Sequence, residues 1–104
     1  MRQERLLGII KNNILTVEPG AEIYLYGPRI SEDCDPDTSV DLLVILDHNV
    51  TEQTKRALQK ELFRVELAIG SEVNLNIRQK DVWYSEKNQT QPFFMMIQKN
   101  AIKL

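Results

Sequence analysis

The apolar residues of this chain recur at two spacings, and the first of these predicts helices. One stripe with intervals of three and four residues precedes Pro19-Gly20, and a second precedes Gly70. Because such intervals place side chains on one face of a helix, we expect helices over both stretches, each ended by these residues. Thr51 or Asn49 is placed to cap the second helix. The stripes are Leu7, Ile10, Ile14 and Val17 in the first helix and Leu58, Leu62, Val65 and Ile69 in the second.

Three other segments, in which apolar residues are continuous or alternate with polar ones, predict strands. The segment from Ala21 to Tyr26 is rich in Ile, Tyr and Leu. The segment from Val40 to Leu46 is an almost continuous apolar run of the kind buried on both faces, which predicts a central strand. In residues 73–77, Val, Leu and Ile alternate with asparagine, so we expect a half-exposed strand at an edge of the sheet.

The last quarter of the chain predicts a short turn and a final helix. Asp81 is placed to cap the turn, and the run from Thr90 predicts a helix in which Phe93 and Ile97 share a face. The tail 101–104 is expected to pack back on the domain. The order helix, strand, strand, helix, strand, helix predicts an α/β (α+β) fold in which a small mixed three-stranded sheet is flanked by helices.

Length and composition predict one domain over residues 1–104. With 42% hydrophobic residues, the chain can bury a single core but is too short for a second lobe. The charged first residues fit neither a signal peptide nor a spanning helix, and a lone cysteine, Cys34, fits a reducing compartment. We therefore expect a cytoplasmic protein without membrane contact. The net charge is −2 and the 13 Lys and Arg are scattered, so we expect no extended nucleic-acid surface.

The segment between the first two predicted strands is typical of a phosphate and metal site. Gly27 ends one strand, and Asp41 begins the next after an acidic loop. A glycine turn offers backbone N–H groups to phosphates. Carboxylates at positions i and i+2 of a strand face the same side, where they can hold divalent cations. The pattern favours a phosphate-binding turn beside a metal-binding carboxylate.

The spacing of this segment resembles the signature of the minimal nucleotidyltransferase family, part of the DNA polymerase β-like superfamily. That signature is Gly-Ser, ten residues, then Asp-x-Asp. Here Gly27-Pro28 is followed by ten residues and then by Ser39-Val40-Asp41. Segments 23–29 and 41–44 are similar to the family's strands, and segment 91–104 is similar to its C-terminal ending. The resemblance covers nearly the whole chain and implies a nucleotidyltransferase-like fold.

Three departures from that signature predict a degenerate active site. Pro28 replaces the family's serine, which removes a hydroxyl and a backbone N–H. Ser39 replaces the first aspartate, so a neutral ligand stands in place of a charged one. Where the family often carries a third carboxylate, this chain has Asn74 and Asn76. Asp41 is then the one carboxylate left of the expected trio, and we interpret it as a vestigial catalytic residue.

The resemblance also implies ligands for these positions. The implied nucleotide is ATP, and the implied cofactor is Mg²⁺ or Mn²⁺, held by Asp41. The acidic loop itself adds Asp37 as a weaker second ligand, in a looser calcium or manganese site with Asp41. Asp37 belongs to the acidic loop, whose alternative role is a solvated surface loop. For Arg29, three partners stay open, namely a phosphate, the acidic loop and solvent. The implied nucleotide-binding residues are Gly27, Pro28, Arg29 and Ser39.

Three functions follow from these observations. The first is a non-catalytic binding or regulatory module. By resemblance its partner is a helical HEPN-type protein, as in bacterial toxin–antitoxin modules. The second is an active enzyme that transfers a nucleoside monophosphate from ATP to a protein or small acceptor. The third is a self-associating scaffold without a ligand. Pro28 and Ser39 favour the first and third over the second.

Two further groups of residues are interpreted as structural. His48 follows the central strand in a turn and has no partner at catalytic spacing, so we expect a surface histidine. The aromatic residues of the last quarter are not interleaved with basic residues, so we expect C-terminal core rather than a base-stacking platform. They are Trp83, Tyr84, Phe93 and Phe94.

Overall fold

The chain forms a four-stranded mixed sheet with helices on both faces. This computed structural model describes residues 3–31, 33–35 and 37–104. A short 3-10 helix, Pro28–Ile30, follows the first strand. The other elements in chain order are α1 (Gln3–Val17), β1 (Glu22–Tyr26), β2 (Val40–Leu46), α2 (Glu52–Ile69), β3 (Val73–Gln79), α3 (Lys80–Trp83), α4 (Glu86–Gln89), α5 (Pro92–Asn100) and β4 (Ile102–Lys103).

The strand order β3-β2-β1-β4 places the most apolar strand inside the sheet. β2 pairs parallel with β3 and antiparallel with β1. The parallel pair is possible because the α2 crossover carries the chain back to the starting edge. The predictions of an interior position for β2 and an edge position for β3 are confirmed.

The prediction of three strands is wrong by one. The tail does pack back, but it does so as β4, which pairs antiparallel with β1 in the register Tyr24 to Lys103 and Leu25 to Ile102. The backbone N–H of Leu104 also donates to the carbonyl of Ile23 at 2.9 Å. Pairing with β1 satisfies backbone groups that would otherwise be left at a sheet edge.

Helix α2 begins and ends as its sequence predicts. The Thr51 hydroxyl accepts a hydrogen bond from the backbone N–H of Thr54 at 3.1 Å, so Thr51 rather than Asn49 is the N-cap. Gly70 ends the helix in the left-handed conformation with φ of 72°, and its N–H donates to the carbonyl of Glu66 at 2.9 Å.

The first hydrophobic core lies between the sheet and the pair α1 and α2. From α1 the fully buried residues include Leu6, whereas the predicted Leu7 is only partly buried. From β2 the alternate residues from Val40 to Leu46 face this core. Each fully buried aliphatic side chain contributes about 1.5–3 kcal/mol relative to its exposed state. The helices contribute Leu6, Ile10, Ile14, Leu58, Leu62 and Val65.

The second core covers the opposite face of the sheet. Leu43 and Ile45 of β2 pack there with Trp83 and Ile97. Around these four lie partly buried aromatic residues, so the expectation of an aromatic C-terminal core is confirmed. Because side chains alternate along a strand, Asp41 shares the face of Leu43 and Ile45. The surrounding aromatic residues are Tyr24, Tyr26, Tyr84, Phe93 and Phe94.

The C-terminal helices differ from prediction in two details. The N-cap of α3 is Gln79, and Asp81 lies inside its first turn, where its carboxylate accepts from the backbone N–H of Val82 at 2.8 Å. The predicted cap at Asp81 is therefore wrong, because α3 begins directly at the end of β3. Helix α4 was not predicted, whereas α5 begins at Pro92 as expected. Within the described residues, no helix has the combination of length and apolar character that crossing a membrane requires.

Candidate functional site

The register of the sheet aligns three polar side chains in one row across β1, β2 and β3. Asp41 is the Cα partner of Tyr26 on one side and of Asn74 on the other. Directly opposed residues project from the same face of a sheet, so these three side chains lie on the face of the second core. The row lies where β1 ends and where the parallel strands β2 and β3 begin.

The centre of this region is the carboxylate of Asp41. The side-chain amide nitrogen of Asn74 donates to Asp41 Oδ1 at 2.9 Å and lies 3.3 Å from Ser39 Oγ. One amide group thus connects the two positions at which the nucleotidyltransferase signature has its Asp-x-Asp pair. We call Gly27, Ser39, Asp41 and Asn74 the Asp41 cluster.

Gly27 is required by its backbone conformation and by its contact with Asp41. Its φ of 79° and ψ of −166° lie in a region that only glycine adopts readily. A Cβ atom at this position would overlap Asp41 Oδ2. The glycine turn and the aspartate therefore lie in direct contact.

Pro28 begins the 3-10 helix and is exposed. The N–H of Ile30 donates to the carbonyl of Gly27, and the N–H of Ser31 donates to the carbonyl of Pro28, both at 3.2 Å. These two donors close the turn on itself. Pro28 has no N–H to offer a phosphate, so the turn lacks a donor that a serine there would supply.

Arg29 is directed toward the loop that follows it. Its side chain is 7% exposed, and its Nη1 atom donates to the backbone carbonyls of Thr38 at 2.9 Å and of Asp35 at 3.5 Å. Solvent, one of the three open partners, is therefore excluded. The loop is the partner found, and two of the contacts are with its backbone oxygens. These hydrogen bonds hold the loop against the 3-10 helix.

The donor atoms of the Asp41 cluster do not fit a two-ion site. Such sites hold two cations about 3.5–4 Å apart with two or three carboxylates, and the cluster offers one. Asn74 turns N–H donors, not an oxygen, toward Asp41 and Ser39. Asp37 is exposed, and its backbone N–H donates to Asp35 Oδ1 at 2.9 Å. In the described part of the chain, no three His, Cys, Asp or Glu side chains are grouped closely enough to hold a metal ion.

A second polar pair lies beside the cluster. The side-chain amide of Asn76 donates to the hydroxyl oxygen of Tyr26 at 2.6 Å, and the guanidinium of Arg78 lies 5.8 Å from the ring centroid of Phe93. Burial raises the pKa of Tyr26 above its ordinary value, and the Asp41 carboxylate adds to this, whereas the Asn76 hydrogen bond and Arg78 oppose it. Both predicted asparagines thus lie on the same face of β3, with Asn74 opposite Asp41 and Asn76 opposite Leu43.

A cleft of about 470 Å³ lies at the other end of the sheet. Its lining residue Asp47 is six residues from Asp41 along the chain of β2, which corresponds to about 20 Å of strand. Carboxyl ends of parallel strands are where open α/β sheets most often bind ligands. Sequence spacing gave no indication of this cleft, because one wall is the turn after β2 and the other is the end of β3 with α3, and only the parallel pairing brings them together. It is lined by Asp47, His48, Asn49, Gln79, Lys80, Asp81 and Tyr84.

His48 has a partner that sequence reasoning missed. Its Nε2 atom lies 2.7 Å from Glu18 Oε2, and its Nδ1 atom lies 3.0 Å from the carbonyl of Asn49. The Glu18 hydrogen bond raises the pKa of His48 above its ordinary 6.5. The side chain is exposed, as predicted. Glu18 is 30 residues away in sequence, so no local spacing indicates this ion pair.

The comparisons with known proteins add no family assignment to this geometry. Neither the models of protein families nor the curated proteins include a match to this chain.

Proposed function

We propose that this protein is a nucleotidyltransferase-like module that does not transfer nucleotides and acts by binding, as a regulatory partner of another protein. The observation that carries the proposal is the Asn74 amide between Asp41 and Ser39. A hydrogen-bond donor lies where the chemistry needs a cation. Asp41 has a hydrogen-bond donor there from the protein itself, although a neutral amide leaves its negative charge in place.

The chemistry of nucleotidyl transfer supports this reading. Transfer requires cations to neutralise the charge that develops between the attacking and leaving oxygens of the triphosphate. Replacing one aspartate by Ser39 and the third acid by Asn74 removes two negative charges from the site. The remaining carboxylate, Asp41, is too weak an electrostatic anchor for two divalent ions.

The phosphate side of the site supports the same conclusion. Pro28 lacks both the hydroxyl and the N–H expected at its position, and Arg29 uses Nη1 on the backbone of its own loop. A triphosphate would therefore meet fewer donors at this turn than the signature provides. The acidic residues of the loop add repulsion, since Asp33, Asp35 and Asp37 are exposed beside it.

The proposed partner is a helical protein of the HEPN type, and this rests on the sequence resemblance. Self-association is the competing arrangement for a binding module of this size. The two are distinguished by measuring the molar mass of the isolated protein in solution. A monomer supports a separate partner, whereas a stable homodimer supports the self-associating scaffold.

The absence of nucleotidyl transfer is tested by measuring ATP binding and nucleotide transfer by the unmodified protein. A ligand at 100 times its dissociation constant stabilises a protein by about 2.7 kcal/mol, so millimolar ATP with Mn²⁺ would raise the melting temperature of a competent enzyme. We expect no rise and no transfer of label from radiolabelled ATP to added protein. Transfer of label that Asp41→Ala abolishes would overturn the proposal and support the enzyme.

A further inference from the structure

Helix α2 carries apolar side chains on the face that points away from the protein. Phe63 is 59% exposed and Leu67 is 72% exposed, and the two lie one turn apart. The opposite face of the same helix is buried in the first core through Leu58, Leu62 and Val65. Packing within the domain therefore does not explain why large apolar residues occupy these outer positions.

The charged residues that share an arc of α2 with these two side chains are all basic. At 3.6 residues per turn, Arg56, Lys60, Phe63, Arg64 and Leu67 fall within an arc of about 100°. All five are exposed. The three acidic residues of α2 fall outside this arc. Glu61 is half-buried, Glu52 lies a turn before the group and pairs with Lys55 at 3.5 Å, and Glu66 accepts from the backbone N–H of Val73 at 2.8 Å. We call these five residues the α2 outer face.

We infer that the α2 outer face is a docking surface for an amphipathic helix with acidic residues beside its apolar stripe. The inference deepens the proposed function, because it gives the binding module a surface and its partner a chemistry. Phe63 and Leu67 form a ridge that packs into the groove of a second helix. Arg56, Lys60 and Arg64 then face carboxylates of that helix, which selects acidic partners over basic ones.

Two other binding partners, a second copy of the chain and an anionic membrane, fit this face less well. Two copies of the chain joined through this face would bring their three cationic side chains together, and like charges across an interface are costly. An anionic membrane matches the charge, but the apolar stripe is two side chains long, and α2 is fixed on its other side in the core. A ridge this narrow suits a helix groove better than the flat boundary of a bilayer.

The probe is a synthetic helical peptide with leucine on one face and glutamate beside it, and the reference is the same peptide with lysine in place of glutamate. We expect the full chain to bind the glutamate peptide at least tenfold more tightly by fluorescence anisotropy, with affinity falling as salt rises. The double substitution Phe63→Ser with Leu67→Ser should weaken binding at least tenfold. Val82→Ser with Met95→Ser is the matched control, since these side chains are 57% and 58% exposed on other helices, and it should leave binding unchanged.

Charge-reversal substitutions distinguish specific docking from non-specific hydrophobic binding. Arg56→Glu with Lys60→Glu should reverse the preference, so that the lysine peptide binds more tightly. Equal affinity of the unmodified protein for both peptides would overturn the inference, as would loss of binding in the control variant. Two other results would overturn it: a homodimer dispersed by the Phe63 and Leu67 substitutions, or tighter binding to phosphatidylserine vesicles than to the glutamate peptide. None of these experiments involves ATP or the Asp41 cluster. The docking surface and the absence of nucleotidyl transfer are therefore tested independently.

Discussion

The side-chain amide of Asn74 donates a hydrogen bond to the carboxylate of Asp41 across the parallel strands β3 and β2, with a nitrogen to oxygen distance of 2.9 Å. The two residues are 33 positions apart in sequence and are direct partners in the sheet register. An amide at this point gives the carboxylate a partner without any ion. This relationship gives Asp41 a structural role in joining β2 to β3.

Replacing Asn74 by aspartate should destabilise the protein and make its stability sensitive to divalent cations. Two carboxylates would then face each other, and directly opposed like charges on neighbouring strands are unfavourable by up to about 1 kcal/mol. Because this repulsion grows as the carboxyl groups ionise, the variant should lose stability relative to the parent between about pH 4 and about pH 8. Urea denaturation at both pH values measures the difference.

Mn²⁺ provides the second readout of that variant. Millimolar Mn²⁺ should restore part of the lost stability of Asn74→Asp at about pH 8, because a cation can then bridge two carboxylates. Asn74→Leu is the control, since it removes the amide without adding charge and should not respond to Mn²⁺. An equal response of both variants would show that the metal acts elsewhere on the chain.

Replacing Gly27 by alanine should lower stability by about 1–3 kcal/mol, because an L-residue is strained at this φ and ψ. The added Cβ would also displace the Asp41 carboxylate. Gly8→Ala is a matched control, for which we expect the change in stability to have the opposite sign. Gly8 lies in α1 with open space around its Cα, so alanine there should raise stability by up to about 1 kcal/mol. Chemical denaturation of both variants checks the pair, and a neutral Gly27→Ala would contradict the described turn.

Replacing Arg29 by glutamine should loosen the loop that contains Cys34. The buried guanidinium holds this loop through the carbonyls of Thr38 and Asp35. Without those hydrogen bonds, the half-buried thiol should become more accessible, and its reaction with a disulfide reagent should accelerate several-fold. Cys34 is the chain's one cysteine, so the reaction reports a single site. Arg56→Gln is the control, and an unchanged rate in Arg29→Gln would show that Arg29 does not order the loop.

The Glu18 and His48 pair should make stability depend on pH. Since the folded pKa of His48 is raised above 6.5, the pair stabilises the fold below this value, and that contribution is lost as pH rises through the folded pKa. The melting temperature of the parent should exceed that of Glu18→Gln at about pH 6, and the gap should shrink at about pH 9. His48 is the chain's one histidine, so proton NMR gives its titration directly. A pH-independent gap would contradict this account.

Local sequence signals predicted much of the fold because their physical causes are local. The α2 stripe, the Thr51 cap and the Gly70 stop each depend on residues within a few positions. The continuous apolar run of β2 likewise predicted a buried strand. By contrast, β4 is two residues long and has no pattern of its own. It exists because β1 offers a free edge, and this is a long-range property of the fold.

The candidate site also combines features that the sequence predicts with contacts that depend on the fold. The ten-residue spacing and the residue types were readable from the sequence, and so was the presence of Asn74 and Asn76 on the polar face of the third strand. The contact between Asn74 and Asp41 was not, because it depends on the parallel register that α2 imposes. The burial of Arg29 also depends on how the acidic loop folds over its side chain. Sequence therefore identified the members of the cluster, whereas their hydrogen bonds required the structure.

We propose that Pro28 and Ser39 leave this fold without the nucleotide chemistry of the signature that its sequence resembles. The most direct measurement is calorimetric titration of Mn²⁺ and ATP into the parent and into the double variant Pro28→Ser with Ser39→Asp, with Ser31→Asp as a control for added charge. We expect metal-dependent ATP binding in the double variant, and no such binding in the parent or the control. Metal-dependent ATP binding by the parent that Asp41→Ala abolishes would contradict this proposal.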